Sequence, residues 1–248
     1  MVLPLRKTSS PSGTSRLHKT PPVVYMAAGG VGIEQRMPWQ SPRRVRSSLA
    51  PASFISPCLP TVAPKAPLGP GWVHEIKHDG YRLQIHLREG RVRLFTRTGV
   101  DWTDRYPRIV ADAALLPVKH AIIDAECCVA DDNGVTDFND LHSRLRDHEA
   151  FAYAFDLLTV DGEDIRLSPL AERHTRLAKL LRKAQPGIRL SEHLAAEGPI
   201  VFEHACRLGL EGIVSKRIDA PYRSGRAKCW IKVKNKNASA YGRELEDR

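Results

Sequence analysis

Residues 75–82 read Glu75-Ile76-Lys77-His78-Asp79-Gly80-Tyr81-Arg82. Trp72–Ile76 alternates apolar and polar residues over a short run, as a half-buried strand does. Asp79-Gly80 is a turn signal. Alternation resumes over Tyr81–Leu87, with Leu83, Ile85 and Leu87 on one face and Arg82, Gln84 and His86 on the other. The stretch thus places a lysine between a strand and a glycine turn, with its amine projecting from a defined backbone. An amine is a nucleophile only when deprotonated, which nearby cations or partial desolvation promote. Taken alone, the same pattern also describes a surface lysine in a turn.

Outward from this point the chain alternates strands and helices. Glu89-Gly90 is a two-residue turn and Arg91–Thr96 the partner strand, which together predict a hairpin. Ile109–Leu116 is predicted helical, Ala121–Val129 a buried strand, and Phe138–Leu145 a short helix. Ala152–Val160 reads as a strand ending at Asp161-Gly162. Leu170, Leu177, Leu180 and Leu181 predict an amphipathic helix over residues 170–183. Val201–Leu208 is a further helix, and Gly212–Lys216 and Trp230–Val233 are the last strands. Short strands with irregularly interspersed helices favour an α+β fold over a doubly wound parallel sheet.

The 248 residues carry a formal net charge of +10, but unevenly. Residues 1–65 hold nine Lys/Arg and one acid, Glu34, leaving only +2 for the remaining 183 residues. Twelve of the 18 prolines lie in the first 70 residues. One-sided charge with little apolar periodicity leaves little surface to offset the entropy of ordering. Residues 1–50 are therefore expected to be a disordered, basic, Pro/Ser-rich tail. A solvated tail, a nucleic-acid-binding arm, an organelle transit peptide, and upstream sequence before a start at Met26 or Met37 all fit it. It has no apolar core of the kind a secretory signal needs. No apolar run approaches the roughly 18 residues of a membrane span, so no membrane association is expected. The five cysteines are odd in number and form no Cys-x-x-Cys pair, which argues against a disulfide scaffold or a structural zinc site.

Three further clusters bear on chemistry. Asp124-Ala125-Glu126 sits on an otherwise apolar strand, and period-2 geometry puts both carboxylates on one face. Such a pair is costly unless it is salt-bridged or holds a metal. Glu211-Gly212-Ile213-Val214-Ser215-Lys216 opens a strand with an acid and closes it with a lysine, as an ordinary strand with charged ends also would. In Trp230-Ile231-Lys232-Val233-Lys234, alternation puts Trp230, Lys232 and Lys234 on one face. Two same-face lysines suit a phosphate between them, or equally a basic edge strand that resists aggregation.

The order of these clusters is more specific than any one of them. Lys77-x-Asp79-Gly80-x-Arg82 is followed by Thr96-Arg97-Thr98-Gly99, Asp124-x-Glu126 and Phe155-Asp156-Leu157-Leu158. Glu211-Gly212-Ile213-Val214-x-Lys216 and Trp230-x-Lys232-x-Lys234 complete the series. Over about residues 53–238 this resembles the nucleotidyltransferase motifs of ATP-dependent DNA ligases. The nearest resemblance is to the ligase module of bacterial multifunctional end-joining ligases and their small stand-alone relatives. It implies an α+β nucleotidyltransferase (ATP-grasp-like) adenylation domain over residues 51–238, with two antiparallel sheets and flanking helices around a nucleotide cleft, and a C-terminal tail over 239–248.

The resemblance also implies roles. Lys77 would be the covalent nucleophile, Asp79 would position the nick's hydroxyl or a metal, and Arg82 and Arg97 would contact ribose or phosphate. Glu126 would hold the ribose or a divalent metal, Phe155 would stack on adenine, and Glu211 would bind or orient the metal. Lys232 and Lys234 would neutralise the α-phosphate, and Glu75 and Ile76 would read the adenine edge, mainly through backbone groups. The implied cofactors are ATP and Mg²⁺ (or Mn²⁺). The implied partners are nicked or broken duplex DNA and an end-joining or DNA-clamping protein, in a bacterial cytoplasm at the nucleoid. Two departures stand out. The OB-fold domain that usually follows is expected to be absent, and Ala125 stands where the family usually has glycine. RNA ligation, RNA capping, and nucleic-acid binding without efficient catalysis remain alternatives on the same scaffold.

Overall fold

The computed structural model describes residues 48–49, 53–131 and 134–238. Apart from Ser48–Leu49, the expected tails over 1–50 and 239–248 lie outside the described residues. In chain order the strands are β1 (Ser48–Leu49), β2 (Cys58–Val62), β3 (Trp72–Ile76), β4 (Tyr81–Arg88) and β5 (Arg91–Thr96). Helix α1 (Pro107–Ala114), β6 (His120–Cys128), α2 (Phe138–His142), β7 (Phe151–Val160) and β8 (Glu163–Asp164) follow. The last elements are α3 (Leu170–Leu181), β9 (Ile188–Leu190), α4 (Gly198–Arg207), β10 (Gly212–Arg217) and β11 (Gly225–Lys234).

Two sheets form. The larger runs β1-β8-β7-β6-β4-β5, with β9 also on β7, and the smaller runs β2-β11-β10-β3. Both are antiparallel except where β9 pairs with β7 and β2 with β11, each in parallel. Ser48–Leu49, inside the stretch expected to be disordered, pairs antiparallel with Glu163–Asp164.

The β4–β5 hairpin closes through Glu89 and Gly90, at φ 48° and 77°, with Arg88 opposite Arg91. Positive φ at both positions gives the turn a twist that matches the strands. Asp161-Gly162 joins β7 to β8 in the same way, at φ 45° and 86°. The predicted strand and helix cores all occur, with ends displaced by a few residues, as terminal turns commonly are. The sequence reading misses β2, β8 and β9. β2 carries Pro60, which removes a ladder donor and is tolerated because β2 is an edge strand.

Three apolar clusters set the layers. Leu83, Ile85 and Leu87 of β4 pack with Ile109 and Ala113 of α1 and Leu177, Leu180 and Leu181 of α3 on the outer face of the large sheet. Val201 and Ala205 of α4 pack with Ile213 and Val233 on the outer face of the small sheet. Between the sheets, Ile55, Cys58, Ile122, Leu158, Tyr222 and Trp230 form a third cluster. The inner faces near it carry the polar residues of the motifs. Ala125 is fully buried in the first cluster, so its methyl group points away from the inner face and does not crowd it.

Candidate active site in the inter-sheet cleft

Strand alternation decides what faces the cleft. On the small sheet, Lys216 lies opposite Trp230, Val214 opposite Lys232, and Gly212 opposite Lys234. Trp230, Lys232 and Lys234 therefore share the inner face, while Ile231 and Val233 pack toward α4. On the large sheet, Arg82 lies opposite Glu126 and Gln84 opposite Asp124. The expected faces of β4, β6 and β11 are those observed.

Lys77 follows the last residue of β3. Its backbone N–H donates to Gly212 O at 2.9 Å, and its Nζ lies 2.5 Å from Glu211 Oε1. Lys234 Nζ is 3.9 Å from the same oxygen. The other carboxylate oxygen of Glu211 is buried and, among the described residues, has no hydrogen-bond partner. Gly212 makes this approach feasible: at φ +142°, a Cβ there would sit 2.1 Å from Val233 O. Gly80 is similarly constrained, since a Cβ would lie 2.1 Å from Cys127 O. The turn after Lys77 therefore lies directly against β6.

Glu126 is pushed up to about 7, first by burial, with Glu211 and Asp124 adding to the rise against the lowering fields of Lys77 and Arg82. His78 is pushed down to about 3, chiefly by burial. Its ring stacks on Tyr153 with centroids 3.7 Å apart, which holds the turn between Lys77 and Asp79. Asp79 is fixed by its backbone N–H, which donates to Thr136 Oγ1 at 3.1 Å.

Arg82 is pinned by Asp124 through Nε at 2.9 Å and Nη2 at 2.6 Å. The Phe155 ring centroid lies 5.2 Å from the Arg82 guanidinium carbon and 4.5 Å from Lys216 Nζ. Beneath this ring, Glu75 is 3% exposed and binds Lys216 Nζ at 2.6 Å, Ser191 Oγ at 3.0 Å and His193 Nε2 at 3.1 Å. Burial alone would raise the Glu75 pKa, but Lys216 and His193 outweigh it and hold the carboxyl at about 2. The Glu75 side chain is thus committed to an ion pair. Ile76 packs toward α4, leaving only its backbone for any role at the cleft.

The structure therefore brings Lys77, Arg82, Glu126, Phe155, Glu211 and Lys234 together, with Lys232 on the same face. Arg97 stands apart: it is exposed in the turn after β5 and, among the described residues, forms no ion pair with this group. Sequence reasoning gave no role to Tyr222, His193, Ser191 or Tyr153. These reach the site from loops and strands far along the chain, and no periodic signal marks them.

A half-buried lysine amine against a carboxylate, facing arginine and lysine across a cleft with an aromatic wall, suits transfer of a phosphoryl-linked group to nitrogen. A family model for the ATP dependent DNA ligase domain matches residues 63–234. The chain belongs to the ATP-dependent DNA ligase family. Over 185 residues it is 38% identical to the multifunctional non-homologous end joining protein LigD of Pseudomonas aeruginosa, covering 73% of this chain and 22% of that protein. It is 36% identical over 182 residues to a probable DNA ligase of Streptomyces coelicolor, covering 67% of this chain and 35% of that protein. A solved mycobacterial DNA ligase D complexed with ATP and MES superposes with a TM-score of 0.65 at 34% identity, covering 72% of this chain and 60% of that one. The chain thus spans about a fifth to a third of these two curated relatives. Among the described residues no helix is long and apolar enough to cross a membrane.

Proposed function

We propose that this chain is the adenylation module of an ATP-dependent DNA ligase that acts on nicked or broken duplex DNA. The observation that carries the reading is Lys77 Nζ held 2.5 Å from Glu211 at the end of a cleft lined by Arg82, Lys232 and Lys234. In the first step Lys77, having lost its ammonium proton to solvent, attacks the α-phosphorus of ATP as the neutral amine, which sheds a second proton to solvent as it bonds to phosphorus. A P–N bond forms, the bond from the α-phosphorus to the bridging oxygen breaks, and pyrophosphate leaves with the electron pair. Arg82, Lys232 and Lys234 stabilise the charge that grows on the α-phosphate. Phe155 supplies the flat apolar face on which adenine stacks. AMP then passes from Lys77 to a DNA 5′-phosphate, and attack by the 3′-hydroxyl joins the strands and releases AMP.

Glu126 and Glu211 are the residues that would hold Mg²⁺ or Mn²⁺. The buried Glu211 oxygen lacks a partner among the described residues and burial penalises the charged form of Glu126, and a cation would offset both. No group of three or more His, Cys, Asp or Glu among the described residues is placed to hold a metal. A hard divalent ion bound by one or two carboxylates and completed by phosphate oxygens and water fits that donor set. When bound, it would neutralise charge on the phosphates. The end-joining context, a DNA-clamping protein partner and a bacterial cytoplasmic location belong to the same reading; the LigD names of the relatives support the end-joining context.

The test is transfer of label from α-labelled ATP to the full chain with Mg²⁺ or Mn²⁺, followed by denaturing electrophoresis beside Lys77→Ala. Wild type should carry the label and Lys77→Ala none. Equal labelling of both would refute Lys77 as nucleophile. An unlabelled wild type that also fails to seal pre-adenylated nicked DNA would refute the ligase reading.

A further inference from the structure

Arg82 is held by more than its carboxylate partner. Asp124 is fully buried, and its Oδ2 accepts from the Tyr222 hydroxyl at 2.6 Å as well as from Arg82 Nη2 at 2.6 Å. The same hydroxyl accepts from Cys58 N–H at 2.9 Å, and Cys58 O accepts from Arg82 Nη1 at 2.7 Å. Tyr222, Asp124, Arg82 and the Cys58 backbone therefore form a closed ring of hydrogen bonds. Two members, Asp124 and Arg82, come from the large sheet. Cys58 belongs to an edge strand of the small sheet, and Tyr222 to the β10–β11 connection. The Tyr222 ring is itself fixed, 4% exposed and edge-on to Trp230 with centroids 5.9 Å apart.

We infer that Tyr222 is a positioning residue for the reaction: through Asp124 it sets the rotamer and plane of the Arg82 guanidinium at the cleft. This inference rests on the adenylation reading above. A guanidinium has five N–H donors in a rigid fork. Three of those in Arg82 are spent on Asp124 and Cys58, so among the described residues two remain for an anion. A fork preset in this way needs no reorganisation as charge develops on phosphate, which is the condition under which a donor accelerates a step rather than merely binding substrate. Without the hydroxyl, Asp124 Oδ2 keeps one partner and the Cys58 N–H loses its acceptor. The carboxylate, and Arg82 with it, can then rotate.

The test compares wild type, Tyr222→Phe, Arg82→Gln and the double variant in single-turnover formation of the lysyl-adenylate at saturating ATP, each checked by thermal unfolding. Tyr222→Phe should slow wild type about tenfold and slow the Arg82→Gln variant less than about twofold, because a residue that acts through Arg82 has nothing left to act on. Equal slowing in both backgrounds, or none in wild type, overturns the inference. A second readout does not depend on activity or on the fold of Arg82→Gln. The Arg82 Nε–H resonance of the full chain should exchange slowly with solvent in wild type and at least about ten times faster in Tyr222→Phe. Unchanged exchange overturns the positioning role. An unlabelled wild type that also fails to seal pre-adenylated nicked DNA refutes the reading above but leaves this second readout to decide whether Tyr222 fixes Arg82.

Discussion

Glu75 shows how a single residue takes its character from what surrounds it. By sequence it is a polar residue in an alternating strand; in the fold it is the anion that compensates a buried lysine. Its carboxyl is held at about 2 against an ordinary 4.5, so it favours folding above its unfolded value and loses that contribution as pH falls through about 2. Glu75→Gln should therefore lower stability by roughly 3 kcal/mol at neutral pH, an order of magnitude set by that shift. The gap to wild type should shrink steadily below about pH 4.5, since the unfolded state takes up the proton first. Urea unfolding at pH 7, 5 and 3.5 measures it, and a gap that stays constant over that range would remove Glu75 from this role. Lys216 lies 4.3 Å from the Trp230 ring centroid and 4.5 Å from that of Phe155, so loss of its partner should also disturb the proposed adenine wall.

At the scale of elements, the start of β10 carries the most constraint. Gly212 connects three facts: its φ of +142°, its carbonyl as acceptor for Lys77 N–H, and the lack of room for a Cβ, which would sit 2.1 Å from Val233 O. Gly212→Ala forces either a strained backbone or separation of β10 from β11. The expected loss is about 2 kcal/mol or more. Because Glu211 and Lys77 are both anchored there, lysyl-adenylate formation should fall more steeply than stability. Denaturant unfolding beside single-turnover labelling checks both, and an alanine variant with wild-type rates would show that the strand start tolerates displacement. The same element shows what pattern reading can see. Alternation predicts which side of β11 carries Lys232 and Lys234, and Glu211 and Lys216 mark the two ends of β10. Nothing local, however, says that Glu211 reaches Lys77, 134 positions earlier in the chain.

Across the whole molecule, one buried pair joins layers that the motifs leave separate. Arg173 of α3 and Asp156 of β7 are both fully buried, bonded at 2.8 and 2.9 Å. Arg173 also donates to Ser168 O at 2.6 Å and to Ala220 O at 3.0 Å. It thereby ties the helix layer and the large sheet to the connection that carries Tyr222 into the inter-sheet cluster. Removing one member of such a pair leaves an uncompensated charge in the interior. Arg173→Ala should cost roughly 3–5 kcal/mol, whereas replacing both members with apolar residues of similar volume should cost much less. Thermal unfolding of the single and double variants separates the two, and equal losses would show that the charges are not what the site requires.

The local features were legible in the sequence: the strand and helix cores, their inner and outer faces, the hairpin turn, and the residues of the six motifs. Side-chain periodicity and turn chemistry are properties of a few neighbouring residues, and a motif order is a property of the linear chain. The tertiary structure alone decided the pairings: β2 parallel to β11, β9 parallel to β7, Glu75 with Lys216 and His193, and Tyr222 with Asp124. It also placed Ala125 in the core rather than the cleft, committed the Glu75 side chain to an ion pair, and left Arg97 in an exposed turn. The reason is that a buried polar group needs a partner but its own sequence does not name it. The partner is whichever residue the closing of the two sheets brings within hydrogen-bond reach, here from as far as 164 positions away, as between Cys58 and Tyr222.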